Sequence, residues 1–277
     1  MHSVRILLAL ALSACLLAPA GAQQPPPPYR ILISNDDGVR APGLAAVAQI
    51  LQAIGEVTIV APLENQSGKG HSITIYEPIF RDDLTLPNGL KAIGLSATPA
   101  STVKVALKNI LKAKPDLVVA GINRGYNLGL SAYISGTVGA AREAAMAGIP
   151  AIAASTVTDV RDYGFAAEEV LGVARRVKQY GLPPNTFLNV NIPAAPSGDA
   201  KGYQVTTQAM TPGGDESFAE AKHPSGRTLY WNVYTEGGTA PQGTDVWAVA
   251  NGFVAVTPLH VGEADPKLLD ALKGWFK

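Results

Sequence analysis

Ile31-Leu32-Ile33-Ser34-Asn35-Asp36-Asp37-Gly38 is an apolar run that stops on two adjacent carboxylates and a glycine. A short continuous apolar segment bounded by turn residues reads as a strand buried on both faces of a parallel sheet. Open α/β sheets gather their ligands at the carboxyl ends of such strands, which is where Asp36 and Asp37 fall. Two neighbouring carboxylates repel one another, and a hard divalent cation relieves that repulsion by holding both ionised. An ordinary helix or turn cap by either aspartate is the competing reading, so the rest of the chain has to decide.

Outward from that strand, apolar runs alternate with helical periodicity. Leu44, Val47, Ala48, Leu51 and Ile54 share one helical face, closed by Gly55, and Val57 to Val60 is the next strand. Thr98-Pro99 offers an N-cap with proline in the first turn of a helix carrying Val103, Leu107, Ile110 and Leu111. The strand Leu117 to Ile122 ends on Asn123, as the first ended on Asp36 and Asp37, so the two polar ends share a sheet edge if the strands are parallel. Helices over 137–147 and 165–180, with strands Ala151 to Ala154 and Phe187 to Ile192, continue the alternation. The pattern predicts an α/β chain with a mostly parallel sheet. Beyond residue 200 the character changes to β segments Gln204 to Gln208, Thr228 to Tyr234 and Phe253 to Thr257, expected as a projecting hairpin and arm.

With 277 residues the chain is long enough for one large domain and a sizeable core. Charged residues are 16% of the total, 22 basic against 22 acidic, which argues against polymeric nucleic acid or an electrostatically held membrane as partner. Arg5, the apolar Ile6 to Leu17 and the small Ala20-Gly21-Ala22 read as a signal peptide over residues 1–22. Its apolar stretch is too short for a bilayer span. An exported, periplasmic or secreted protein is therefore expected, with no integral membrane association. Leu12-Ser13-Ala14-Cys15 gives a lesser alternative, a lipoprotein anchored at Cys15. Cleavage after Ala22 would leave no cysteine and hence no disulfide, followed by a stiff proline-rich spacer over 23–28 and a folded domain over 29–277.

Three further segments carry polar chemistry. Glu64 to Ser72 is a glycine-rich loop after the second strand, with Ser67 and His71. It is not a nucleotide-binding P-loop, because Gly70 rather than Ser or Thr follows Lys69. Gly121-Ile122-Asn123-Arg124-Gly125-Tyr126-Asn127-Leu128-Gly129 places two amides among glycines, which suits either ligand contact or plain turn chemistry. Ser135-Gly136-Thr137 opens an alanine-rich helix whose amide end attracts anions, although an ordinary Ser or Thr cap explains it equally.

Taken together, Ser34-Asn35-Asp36-Asp37-Gly38, Gly70-His71-Ser72-Ile73-Thr74, Ala120-Gly121-Ile122-Asn123-Arg124-Gly125 and Ser135-Gly136-Thr137-Val138-Gly139-Ala140 resemble the stationary-phase survival protein SurE family of metal-dependent nucleotidases, from about residue 29 to residue 260. The resemblance implies a three-layer α/β/α Rossmann-like sheet with a hairpin and a C-terminal arm, over about 200–277, exchanged between subunits of a homodimer or homotetramer. It implies one divalent cation held by Asp36, Asp37, Ser67 and Asn123. Those hard oxygen donors suit Mg²⁺, Mn²⁺ or Ca²⁺ better than zinc. One motif departs from the family pattern, with Ser101 where an aspartate is expected.

The expected reaction is hydrolysis of a nucleoside monophosphate by in-line attack of water, a 5'- or 3'-nucleotidase activity. Asp36 is the candidate to orient or deprotonate that water, supported by Asn35. Asn35, Gly38, His71, Asn127, Ser135, Gly136 and Thr137 are the candidate substrate contacts. A broad acid phosphatase or exopolyphosphatase is the nearest enzymatic alternative. An exported, non-catalytic protein that binds a metal–phosphate ligand is the alternative from another class. A phosphoaspartate route is disfavoured because Asn35 stands where the nucleophile would be, and Ser67 lacks a nucleophile-elbow sequence.

Overall fold

The structure is a computed structural model and describes residues 27–194, 200–236, 238–262 and 266–275; the expected signal peptide, Cys15 and most of the proline spacer lie outside them. The chain runs through β1 (Arg30–Ser34), α1 (Pro42–Leu51), β2 (Glu56–Pro62), β3 (Arg81–Thr85), β4 (Lys91–Leu95) and α2 (Pro99–Val105). It continues through β5 (Leu117–Arg124), α3 (Gly136–Met146), β6 (Ala151–Thr156), α4 (Gly164–Tyr180), β7 (Thr186–Ile192) and β8 (Tyr203–Val205). The last part holds β9 (Gly214–Lys222), β10 (Thr228–Glu236), α5 (Asp245–Ala250), β11 (Val254–His260) and α6 (Pro266–Lys273).

Nine strands form one sheet in the order β3-β4-β2-β1-β5-β6-β7-β11-β8. The six from β4 to β7 are parallel, and only the margins depart from this: β3 runs against β4, and β11 against β7. Central β1 pairs Ile31 with Val57 on one side and with Leu117 on the other. That register brings the ends of β1 and β5 to the same edge, as the sequence predicted.

Alternation along β1 sorts the core into two layers. Ile31 and Ile33 pack with Leu44, Val47 and Leu51 of α1 and Val170 and Val177 of α4. Leu32 faces the other way, toward Val103 of α2 and Val138, Ala141 and Ala145 of α3. This is the expected α/β/α sandwich. Alanines on α3 let that helix lie close against the sheet.

Three local details differ from the sequence reading. The first helix ends at Leu51, and Gly55 serves a different purpose: a Cβ there would sit 2.2 Å from the Tyr29 carbonyl oxygen, so glycine lets the chain pass beneath β1. Thr98 caps α2 by accepting from the Ser101 N–H, but beyond Val105 the helix widens into a π-helical turn, Ala106–Ile110. The marginal strands β3 and β4 and the strand β9 fall where no strand was predicted.

β9 and β10 form a separate antiparallel hairpin, pairing Trp231 with Ala219. Phe218, Tyr230 and Trp231 are exposed on it.

Candidate active site

The carboxyl ends of β1, β2 and β5, the start of α3 and the base of the hairpin enclose an open cleft of about 570 Å³. Asp36, Ser67, Asn123, Asn127 and Ser135 line it. Three of the four proposed metal ligands, Asp36, Ser67 and Asn123, therefore come together from three separate segments of the chain.

Asp36 is 3% exposed. Its Oδ1 accepts the hydroxyl proton of Thr137, and the amides of Gly136 and Thr137 at the start of α3 are directed at the same carboxylate. Burial nonetheless dominates and pushes the Asp36 carboxyl above its ordinary range, with the Thr137 and Gly136 donors pulling the other way. Gly136 is needed for this contact: a Cβ would lie 2.8 Å from the Asp36 Cβ.

Asp37 lies beside the cleft rather than among its lining residues, and its Oδ2 accepts from the Arg124 N–H at 3.0 Å. Burial raises its carboxyl to about 6, the Arg124 N–H lowers it and the neighbouring Asp36 raises it. Asn35 is fully buried; its Nδ2 donates to the Gly38 carbonyl at 2.9 Å, and its Oδ1 is a buried oxygen with no hydrogen-bond partner. Gly38, at φ +103°, brings the turn within 3.3 Å of the Glu64 carbonyl carbon as measured from an added Cβ.

The Ser67 loop is tied to the first strand end by the Gln66 N–H, which donates to the Asp36 carbonyl at 2.6 Å. Ser67 itself is exposed, its N–H donating to Asn65 Oδ1 at 2.8 Å. His71, expected near substrate, lies outside the cleft lining: its Nε2 is 2.9 Å from Glu143 Oε2 on α3. Lys104 Nζ stands 3.2 Å from the other carboxylate oxygen. Burial alone would raise the Glu143 carboxyl, but the hydrogen bonds from His71 and Lys104 outweigh it and hold the group below its usual range. Ser101, where the family resemblance leads to an aspartate, accepts the Thr74 N–H at 2.7 Å and so anchors the far end of the same loop on α2.

Asn123 donates through Nδ2 to the Gly125 carbonyl at 2.6 Å, which makes its amide oxygen the atom available to a ligand. Asn127 Nδ2 donates to Ser155 Oγ at 2.7 Å. Its backbone is fixed from β7: the Asn127 N–H donates to Asn191 Oδ1 at 2.8 Å, and its carbonyl accepts from Asn189 at 2.8 Å and Asn191 at 3.2 Å. Fully buried Asp245 accepts from the Gly129, Ala209 and Val246 amides at 2.8–2.9 Å, clamping the far side of this loop. Asn189 and Asn191 escaped the sequence reading, although two asparagines inside an otherwise apolar strand are the trace they leave. Ser135 Oγ accepts the Val138 N–H at 3.1 Å, an N-cap that still faces the cleft. Gly214, Glu216, Asn232 and Tyr234 of the hairpin form the wall opposite.

The donor set fits a hard cation. Among the described residues no lysine or arginine forms a salt bridge with Asp36 or Asp37, and the Arg124 charge only partly offsets the burial of Asp37, so two desolvated carboxylates share one strand end. An ion bound beside them would offset the desolvation that raises both carboxyls, and the Asp36 charge that adds to it at Asp37. The remaining donors, a hydroxyl and an amide oxygen, are those of oxygen-seeking ions.

Comparison with known proteins identifies relatives of this chain. The family model described as survival protein SurE matches residues 31–214. The 5'-nucleotidase SurE of Geotalea uraniireducens is 42% identical, over 89% of this chain and 98% of its own length. The 5'-nucleotidase SurE 1 of Thermus thermophilus is 43% identical over 88% and 97%. The crystal structure of the SurE protein from Aquifex aeolicus superposes with a TM-score of 0.77 at 37% identity, covering 90% of this chain and 100% of that one.

Proposed function

This chain belongs to the survival protein SurE family, and from that membership we propose that it is a divalent-metal-dependent phosphomonoesterase that hydrolyses nucleoside monophosphates to nucleoside and inorganic phosphate. The observation that carries the reading is the Asp36 carboxylate, desolvated and, among the described residues, without a cationic partner, at the head of a cleft shared with Ser67 and Asn123. The names of the related 5'-nucleotidases support the nucleotide as substrate.

Asp36, Asp37, Ser67 and Asn123 would hold one Mg²⁺, Mn²⁺ or Ca²⁺. Such an ion, when bound, polarises a phosphoryl oxygen and lowers the pKa of water. Asp36 orients the attacking water and takes its proton, while the Thr137 hydroxyl keeps that carboxylate aimed. Asn35 acts one step behind, fixing the Gly38 turn that presents both aspartates. Asn127 and Ser135, on the cleft wall, steady the phosphate charge. The α3 amides contribute through Asp36, toward which they point.

The exposed Phe218, Tyr230 and Trp231 support assembly of a homodimer or homotetramer through the hairpin and the C-terminal arm. The signal-peptide-like pattern of residues 1–22 supports export as part of this reading. Release of inorganic phosphate from nucleoside monophosphates, with and without chelator, tests the activity. Turnover that chelation abolishes and Mg²⁺ or Mn²⁺ restores is expected; ligand binding without turnover would instead identify a binding protein.

A further inference from the structure

We infer that Glu143 is a positioning residue for the Ser67 loop, holding it on α3 through His71 and so setting where the Ser67 hydroxyl stands relative to Asp36. Where cation affinity is concerned, this rests on the metal-dependent function proposed above. Three positions of α3 carry the argument. Gly136, Gly139 and Glu143 follow one another at i, i+3 and i+7, which places them on one helical face. Gly136 meets Asp36. Gly139 meets the loop itself, since a Cβ there would lie 2.3 Å from the Gly70 carbonyl oxygen and 3.1 Å from the His71 Cα. Glu143 meets the His71 ring at 2.9 Å.

One rigid face thus receives the first strand end and the Ser67 loop side by side. A backbone contact adds to this, the Gly70 N–H donating to the Ile134 carbonyl at 2.9 Å just before the helix. Ser67, Gly68 and Lys69, by contrast, are exposed, so the position of Ser67 depends on how firmly its neighbours are held. Packing alone gives no reason to put a carboxylate that is 7% exposed beneath this loop. Lys104 grips Oε1, which leaves Oε2 turned to His71. Ligand-orienting contacts of this kind typically govern metal affinity by about 10- to 100-fold.

Hydrogen exchange of the metal-free protein, read over residues 66–71, tests the clamp without reference to activity, and Mn²⁺ titration by calorimetry tests its consequence. Glu143→Ala should speed exchange in that segment alone and weaken Mn²⁺ binding by about tenfold or more. Glu143→Gln, which keeps an oxygen for the His71 N–H, should recover most of both. His71→Ala should reproduce the Glu143→Ala effects, and the double variant should be no worse than either single one. Exchange unchanged over 66–71, exchange raised over the whole chain, or additive single effects would overturn the inference. A wild-type protein that bound no Mn²⁺ would count against the metal-dependent function, while the exchange comparison would still decide the role of Glu143.

Discussion

Thr137 donates its hydroxyl proton to Asp36 in a fully buried contact between residues 101 positions apart. The bond partly offsets the desolvation of a carboxylate that has no other side chain donating to it among the described contacts. Thr137→Val keeps the shape and removes the donor, and should cost about 1–3 kcal/mol of stability at neutral pH in the metal-free protein. Thr137→Ser should restore most of it. Urea denaturation of the three proteins measures the difference, and identical midpoints would remove Thr137 from the account.

Asp36→Asn should eliminate phosphate release while leaving the fold intact. The substitution removes a buried charge and keeps an acceptor for the Thr137 hydroxyl, so the metal-free variant should melt no lower than wild type within a few degrees. The rise in melting temperature that Mn²⁺ gives the wild type should vanish. Calorimetric melting with and without Mn²⁺ checks both halves, and retained turnover would contradict the role given to Asp36.

Asp37 sets a pH dependence of defined sign. Its folded-state pKa, about 6, lies above the ordinary 3.8, so the fold prefers its carboxyl protonated. The resulting contribution to stability is complete below the ordinary value and is lost as pH rises through about 6. Cation binding needs the ionised form and works against that preference. The Mn²⁺-induced rise in melting temperature should therefore be small at pH 5 and large at pH 7.5, with protons released on binding near pH 6. A rise independent of pH would show that Asp37 does not take part.

Asp245 ties Gly129 to Ala209, joining the loop after β5 to the segment that leads into the hairpin. Asp245→Ala leaves buried N–H groups without acceptors and should cost about 3 kcal/mol or more, read as a lower denaturation midpoint. Asp245→Asn should cost less, because one oxygen remains. Hydrogen exchange should quicken first at residues 127–131 and 207–209; protection unchanged there would mean that the clamp is redundant.

The sheet was legible in the sequence where strands are buried on both faces. Ile31 to Ser34, Leu117 to Ile122 and Ala151 to Ala154 show as unbroken apolar runs because helices cover them above and below. Arg81-Asp82-Asp83 of β3 lies at the margin with its side chains exposed, so its strand character comes from pairing with β4 and leaves no apolar trace. β9 (Gly214–Lys222) is hidden for the same reason. In the cleft, Asp36 and Asn123 stood out as polar residues ending apolar strands. Contacts between Thr137 and Asp36, or Glu143 and His71, join residues 101 and 72 positions apart, and only the folded sheet brings them together.

The cleft draws its walls from Asp36 near the beginning of the folded region and from Tyr234 near its end. A nascent chain has therefore no complete catalytic chamber until almost all of it has left the ribosome. A fragment truncated before Asn232 keeps Gly214 and Glu216 but lacks the Asn232 and Tyr234 half of the hairpin wall. Synthesis that aborts before β10 leaves Asp36, Ser67 and Asn123 beside a half-built chamber.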